Sequence, residues 1–361
     1  MRKRGTIPLK RSRGLFVLKN DRFLRACRRQ PVDATPVWYM RQAGRYQPEY
    51  REVRQKYTLM EICRHPEVCA QVTHLPVKQL NADAAILFSD IMVPVEAMGV
   101  ALEIRENVGP VIESPVRSMA AVEALRPFQA EEALPHVLET IKILVNELEV
   151  PLIGFAGGPF TLASYLVEGK PTRDFRVVKS LMYTEPQIWA ALMEKLSTMV
   201  AQYLVEQIQA GCQAVQVFDS WVGNLNLPDY EQFVKPYMYR IVEAVRKTGV
   251  PMIMFGVHTG HLLSAMAEIG PDVVGVDWKE EIDKAWARIG YDHGVQGNLD
   301  PVALFAPEAV LTAKITDILR RTAGRPGHIF NLGHGVLPQT SVATLRRVSE
   351  IVHTYRPEEA N

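Results

Sequence analysis

Apolar positions along the chain come in short continuous runs, separated by longer stretches of mixed polarity. The runs occupy 36–40 (PVWYM), 84–90 (AAILFSD), 151–157 (PLIGFAG), 214–220 (AVQVFDS), 250–256 (VPMIMFG), 272–278 (DVVGVDW), 294–300 (GVQGNLD) and 328–333 (HIFNLG). Runs of this length that do not alternate are expected of strands buried on both faces of a parallel sheet. Between them, 131–148, 186–210, 229–247 and 307–322 read as helices, several with proline near the first turn, where a missing N–H is no loss. Eight strand-then-helix units with no linker predict an α/β fold, a single closed (β/α)8 TIM barrel. Segment 101–116, with Gly109-Pro110 at its middle, reads as an inserted β-hairpin.

The length, 361 residues, suits one such barrel with insertions. Residues 1–17 carry six basic residues and no secretory apolar core, so they are expected to form a frayed basic tail ahead of a barrel over 18–361. Lys+Arg 41 against Asp+Glu 40 leaves a net charge of +1. Nothing in that balance points to nucleic acid or to a membrane surface, and any anionic ligand must be drawn by local charge. No apolar run reaches the ~18 residues of a membrane span. Cys27, Cys63, Cys69 and Cys212 show no CxxC spacing and read as reduced structural thiols of a cytoplasmic protein, with no metal site expected.

In a barrel of this kind the working face lies where each strand runs into its following loop. Reading those ends in order gives Arg41 and Arg45, then Ser89-Asp90, Gly157-Gly158-Pro159, Asp219-Ser220-Trp221, His258, Asp277-Trp278, Asn298 with Asp300, and His334. Two arginines flanking Gln42-Ala43-Gly44 suit carboxylate or phosphate, because the guanidinium fork binds both oxygens of an oxyanion. They could equally pair with the protein's own acids. Asp90 is the one acid near its strand end and reads as a turn cap, a partner of those arginines, or a carboxylate accepting N–H donors from a ligand. Segment 154–169 (GFAGGPFTLASYLVEG) reads as strand, glycine-rich turn and helix, a weak anion site with Tyr165 in the first two turns. His334 stands between glycines, where there is no core for it to fill. His65, His74, His136 and His353 fall in helical segments and are expected at the surface.

Long stretches of the chain resemble the uroporphyrinogen decarboxylase family. The resemblance covers nearly everything after about Leu18 and includes both family signatures, 36–45 and 154–169, together with Phe88-Ser89-Asp90, QGNLDP at 296–301 and NLGHG at 331–335. It implies a (β/α)8 barrel, a homodimer, and removal of the four acetate carboxyl groups of uroporphyrinogen III to give coproporphyrinogen III in haem and chlorophyll biosynthesis, without metal or organic cofactor. It implies that residues Arg41, Gln42, Ala43, Gly44 and Arg45, with His334, bind substrate carboxylates, and that Asp90 reaches the pyrrole N–H groups. Tyr165 and Ser220 would line the pocket, and Arg54 is a further carboxylate partner. Asp90, Arg41 and Tyr165 form the expected catalytic set, with the proton donor left open, since a guanidinium is a poor acid. The Trp at 221 departs from eukaryotic members, which carry His there.

Two rivals accompany this reading. A cobamide-dependent methyltransferase on the same barrel would need zinc held by a His-x-Cys pattern, whereas the corresponding place reads His258-Thr259-Gly260. A non-catalytic tetrapyrrole carrier would use the basic rim without needing Asp90.

Overall fold

The computed structural model describes residues 18–105 and 108–356; the expected basic tail, 1–17, lies outside them. The strands are β1 (Ala85–Ile86), β2 (Leu102–Arg105), β3 (Gly109–Ile112), β4 (Leu152–Gly157), β5 (Ala214–Phe218), β6 (Met252–Phe255), β7 (Val273–Gly275), β8 (Gly294–Gln296) and β9 (His328–Ile329). Seven of them form one parallel sheet in the order β1-β4-β5-β6-β7-β8-β9, with β2 and β3 set apart as a hairpin.

The eighth position is filled by 36–40, which bridges both edges of that sheet without becoming a regular strand. Trp38 N–H donates to Phe330 O and Phe330 N–H to Pro36 O on one side, and Asp83 N–H donates to Val37 O on the other. Val37 alone pairs in ladder geometry, with Phe330. The predicted first strand is thus corrected to a single bridge, since Pro36 has no N–H to extend the ladder. The other runs contain their strands, but their last residues peel away into the loops of one face.

Two further expectations change. Gly109-Pro110 stands in the second strand of the hairpin, Ile104 facing Pro110 and Arg105 facing Gly109, which a two-stranded ribbon tolerates because each strand is an edge. The helix expected over 131–148 breaks into Ala130–Ala133 and Pro135–Glu147, and that over 229–247 into Leu227–Phe233 and Lys235–Arg246, each second piece opening on a proline at its start. The long helix Pro186–Ala210 and the helix Glu308–Arg321 match their predicted stretches. Among the described residues no helix is long and apolar enough to cross a membrane.

Inside the barrel Trp38, Ile153, Ala214, Ile253 and Ile329 pack with Phe23 and Cys27 of the helix Arg22–Cys27. That helix precedes the first barrel position, so it stops the N-terminal end and leaves the opposite end as the mouth. Behind it, buried Asp83 accepts four hydrogen bonds of 2.7 Å each, from Asn20 Nδ2, Arg22 Nη1, Val37 N–H and His353 Nε2. One carboxylate thereby ties the N-terminal helix, the closing segment and the last helix (Val342–Thr354). His353 is therefore not the surface histidine its helical position suggests; its side chain turns inward onto this acid.

Candidate active site

The loop after Met40 is tight because Gln42 is fully buried and spends every polar group on it. Its N–H donates to Tyr39 O, its Oε1 accepts Tyr39 N–H and its Nε2 donates to Ala84 O. The turn drives Arg41 to φ +61°, the left-handed region that non-glycine residues seldom enter. Arg41 and Arg45 are exposed at the mouth, with half-buried Ala43 and Gly44 between them. Other arginines find carboxylates in the fold, Arg22 on Asp83 and Arg321 on Asp317 among them. Arg41 and Arg45 make no ion pair among the described residues.

The Arg41 side chain runs across Gly335 and so lies beside His334. Burial, then the charges of Arg41 and His258, hold the His334 imidazole down to about 4. It is neutral at pH 7, and because Nδ1 accepts the Gly335 N–H at 2.7 Å, the proton resides on Nε2. Trp278 stands between two histidines, 5.8 Å from His258 and 6.0 Å from His334 between ring centroids.

Asp90 ends the run after β1. Its Oδ1 accepts Met92 N–H at 2.9 Å, so the turn-capping role is real, while Oδ2 has no hydrogen-bond partner among the described residues. Burial raises the acid above the ordinary aspartate range, opposed by the Met92 N–H and by the positive charge of Arg41. The same two charges act on Tyr165, in the second turn of the helix Pro159–Glu168. Burial and then Asp90 push its phenol up to about 12, with Arg41 pulling the other way. Arg41, Asp90, Tyr165 and His334 thus share one electrostatic neighbourhood at the mouth.

The glycine-rich turn before that helix does not present an empty anion site. Asp219 occupies it, its Oδ1 accepting Thr161 N–H at 2.9 Å and Thr161 Oγ1–H at 2.6 Å. Gly158 is required because a Cβ there would overlap the Asp219 carboxylate. Burial lifts Asp219 to about 6 against those hydrogen bonds. Several other strand-end polar groups are likewise spent internally. Asp277 accepts N–H groups of His258 and Lys279, Asn298 Nδ2 donates to the carbonyls of Asp277 and Glu280, and Asp300 caps the turn Pro301–Phe305.

Ser220 is half-buried two residues after the end of β5. Arg54, half-buried on the helix Pro48–Lys56, donates to Tyr57 O at 3.1 Å and acts with Arg45 on the Tyr50 phenol, so it sits to the side of the Arg45 loop. Nothing in the hydrophobic pattern marks Thr161 or Gly335; the first matters through its hydroxyl and the second through having no side chain. The only signal for Gly335 is its place in the glycine-flanked loop.

Residues 18–355 match the family model described as Uroporphyrinogen decarboxylase (URO-D). A protein named uroporphyrinogen decarboxylase from Sorangium cellulosum is 53% identical over 337 residues, 93% of this chain and 96% of that one. One of the same name from Bacillus cytotoxicus is 52% identical over 341 residues, 94% and 98% of the two chains. Among solved structures, a methyltransferase from Methanosarcina mazei superposes with a TM-score of 0.76 at 21% identity, covering 93% of this chain and 98% of that one; this likeness shows the fold alone. With its barrel mouth built from the two signature stretches and a family model spanning nearly all the described residues, the chain belongs to the uroporphyrinogen decarboxylase family.

Proposed function

We infer that this enzyme decarboxylates uroporphyrinogen III, converting its four acetate arms to methyl groups in tetrapyrrole biosynthesis, and that the mouth described above is where it does so. The observation that carries the site assignment is the gathering of Arg41, Asp90, Tyr165 and His334 at one barrel end, with both signature arginines lacking an ion pair among the described residues.

The substrate is a polyanion with pyrrole N–H groups at its centre, so it needs positive charge at its edge and a hydrogen-bond acceptor in its middle. Arg41 and Arg45 supply bidentate donors for carboxylates. Neutral His334 offers an Nε2–H to another carboxylate without adding charge. Asp90 accepts pyrrole N–H groups through Oδ2. Ser220 and Tyr165 line the wall, and Arg54 stands behind Arg45 as a further carboxylate partner. The backbone at Ala43 and Gly44 forms the floor of the arginine loop, and Gln42 acts from beneath by fixing that loop.

Protonation of a pyrrole carbon makes the ring cationic. The C–C bond to the carboxylate then breaks, its electron pair flows into the ring, and CO₂ leaves. Protonating the exocyclic carbon and returning the ring proton gives the methyl group, with one net proton consumed for each CO₂. A fixed Asp90 carboxylate stabilises the cationic ring, an effect of about 3 kcal/mol for a preorganised group of this kind. Arg41 orients and neutralises the departing carboxylate; a guanidinium is a poor general acid.

We place the enzyme in the cytoplasm as a homodimer, readings supported by four buried free thiols and by the family. A methyltransferase shares the fold, but the loop 258–260 gives a thiol-activating zinc no cysteine. Anaerobic incubation with uroporphyrinogen III tests the activity: CO₂ and coproporphyrinogen are expected, whereas tight binding without CO₂ would select a carrier.

A further inference from the structure

The indole of Trp221 lies on the phenol ring of Tyr165, centroids 4.1 Å apart and planes tilted by 35°. Phe175 also meets Trp221 at 5.3 Å, edge to face at 70°. Phe175 is buried and packs on Phe160, which packs on Trp189. A continuous aromatic line thus runs from the core to the ring of Tyr165.

The backbone that carries the indole is pinned too. Trp221 N–H donates to Thr161 Oγ1 at 3.1 Å, and that hydroxyl donates in turn to Asp219 Oδ1 at 2.6 Å. Thr161 belongs to the helix Pro159–Glu168, one turn before Tyr165. Tyr165 and Trp221 are therefore joined twice, ring on ring at the mouth and backbone to helix beneath it, with Asp219 as the common anchor. A phenol whose oxygen must stand close to Asp90 gains from such bracing, because an ångström of misplacement in a reacting site is costly.

We propose that Trp221 is a positioning residue of the decarboxylation site, holding the ring of Tyr165, and hence its hydroxyl, in register with Asp90, while Asp219 acts through Thr161 to keep the indole in place. This rests on the reading that Tyr165 works in this site.

The test is a double-mutant cycle in steady-state turnover of uroporphyrinogen III, with variants Trp221→Ala, Trp221→Phe, Tyr165→Phe and Trp221→Ala/Tyr165→Phe, and thermal melts as the folding check. Trp221→Ala is expected to lower kcat ~10-fold with KM changed less than about 2-fold. Trp221→Phe, which keeps an aromatic face, should recover most of the rate. In the Tyr165→Phe background the same truncation should cost less than about 2-fold, because no hydroxyl remains to be placed. Equal losses in both backgrounds, or full kcat in Trp221→Ala, would overturn the proposal. If Trp221→Ala does not fold, Trp221→Leu, which keeps apolar bulk but no ring plane, takes its place in the cycle. A Tyr165→Phe enzyme with normal kcat would instead sink the role of Tyr165, and the positioning role with it; an impaired Tyr165→Phe beside a normal Trp221→Ala would sink the positioning role alone.

Discussion

The side chain of Arg41 lies across Gly335, so close that a Cβ on residue 335 would stand 2.5 Å from the arginine Cδ and 2.8 Å from its Cγ. The two residues come from opposite ends of the chain and meet where the barrel closes. Gly335 is needed for space, not for an unusual backbone, since it lies outside the positive-φ set. Gly335→Ala should therefore fold normally while displacing the guanidinium. The expected result is a rise in KM of ~10-fold or more with a melting temperature within about 2 °C of the parent. Unchanged KM would show that the guanidinium of Arg41 does not grip a substrate carboxylate from its place over Gly335.

The pH dependence of stability follows from buried histidines and acids that titrate differently in the fold. His328 and His334 are both held to about 4 in the fold, chiefly by burial, against about 6.5 unfolded. Their neutral forms are favoured in the native state, so the stability they contribute is present above about 6.5 and is lost as pH falls toward 4. Each contributes at most about 3 kcal/mol. Asp219 acts in the opposite sense: raised to about 6 by burial, it favours the fold at low pH and loses that advantage as pH rises from about 4 to 6. Asp90 and Glu206, also raised by burial, act with Asp219, and His74 and His136, also lowered by burial, act with the other two histidines, so four histidines stand against three acids. Melting temperature should fall between pH 6.5 and 4.5, and His334→Asn should flatten that slope, as differential scanning calorimetry across the range would reveal.

At the other end of the barrel the stability test is Asp83. Its carboxylate joins Arg22, His353, Asn20 and the Val37 N–H, and removing one member of a buried charged cluster strands the rest. Asp83→Ala should cost about 3–5 kcal/mol by urea unfolding while leaving kcat of the folded fraction near that of the parent. A loss below about 1 kcal/mol would mean the four bonds do not brace the closing segment.

Much of the fold was legible in the chain because buried parallel strands declare themselves as unbroken apolar runs, and the order of those runs fixes which residues end at the mouth. Arg41, Asp90 and His334 could be assigned to one face for that reason. What stayed hidden was pairwise. Asp83, Asn20 and His353 are remote in sequence and their meeting follows from closure of the barrel, which no local pattern encodes. Asp219, Asp277 and Asn298 looked as available as Asp90 by position; Asp277 and Asn298 are spent on hydrogen bonds inside the protein, and Asp219 is buried away from solvent, where Asp90 is only half-buried. The regular strand expected over 36–40 failed because Pro36 and the neighbouring edges leave room for a bridge but no ladder.

The most direct measurement compares Asp90→Asn with the parent enzyme, reading kcat from CO₂ release and affinity from equilibrium binding of uroporphyrinogen III under anaerobic conditions. Asparagine keeps the shape and an acceptor oxygen but removes the negative charge that faces the cationic ring. The expected result is a fall in kcat of ~10²–10³-fold with affinity changed less than about 10-fold. Turnover within about 2-fold of the parent would contradict the claim that Asp90 stabilises the reacting ring at this mouth.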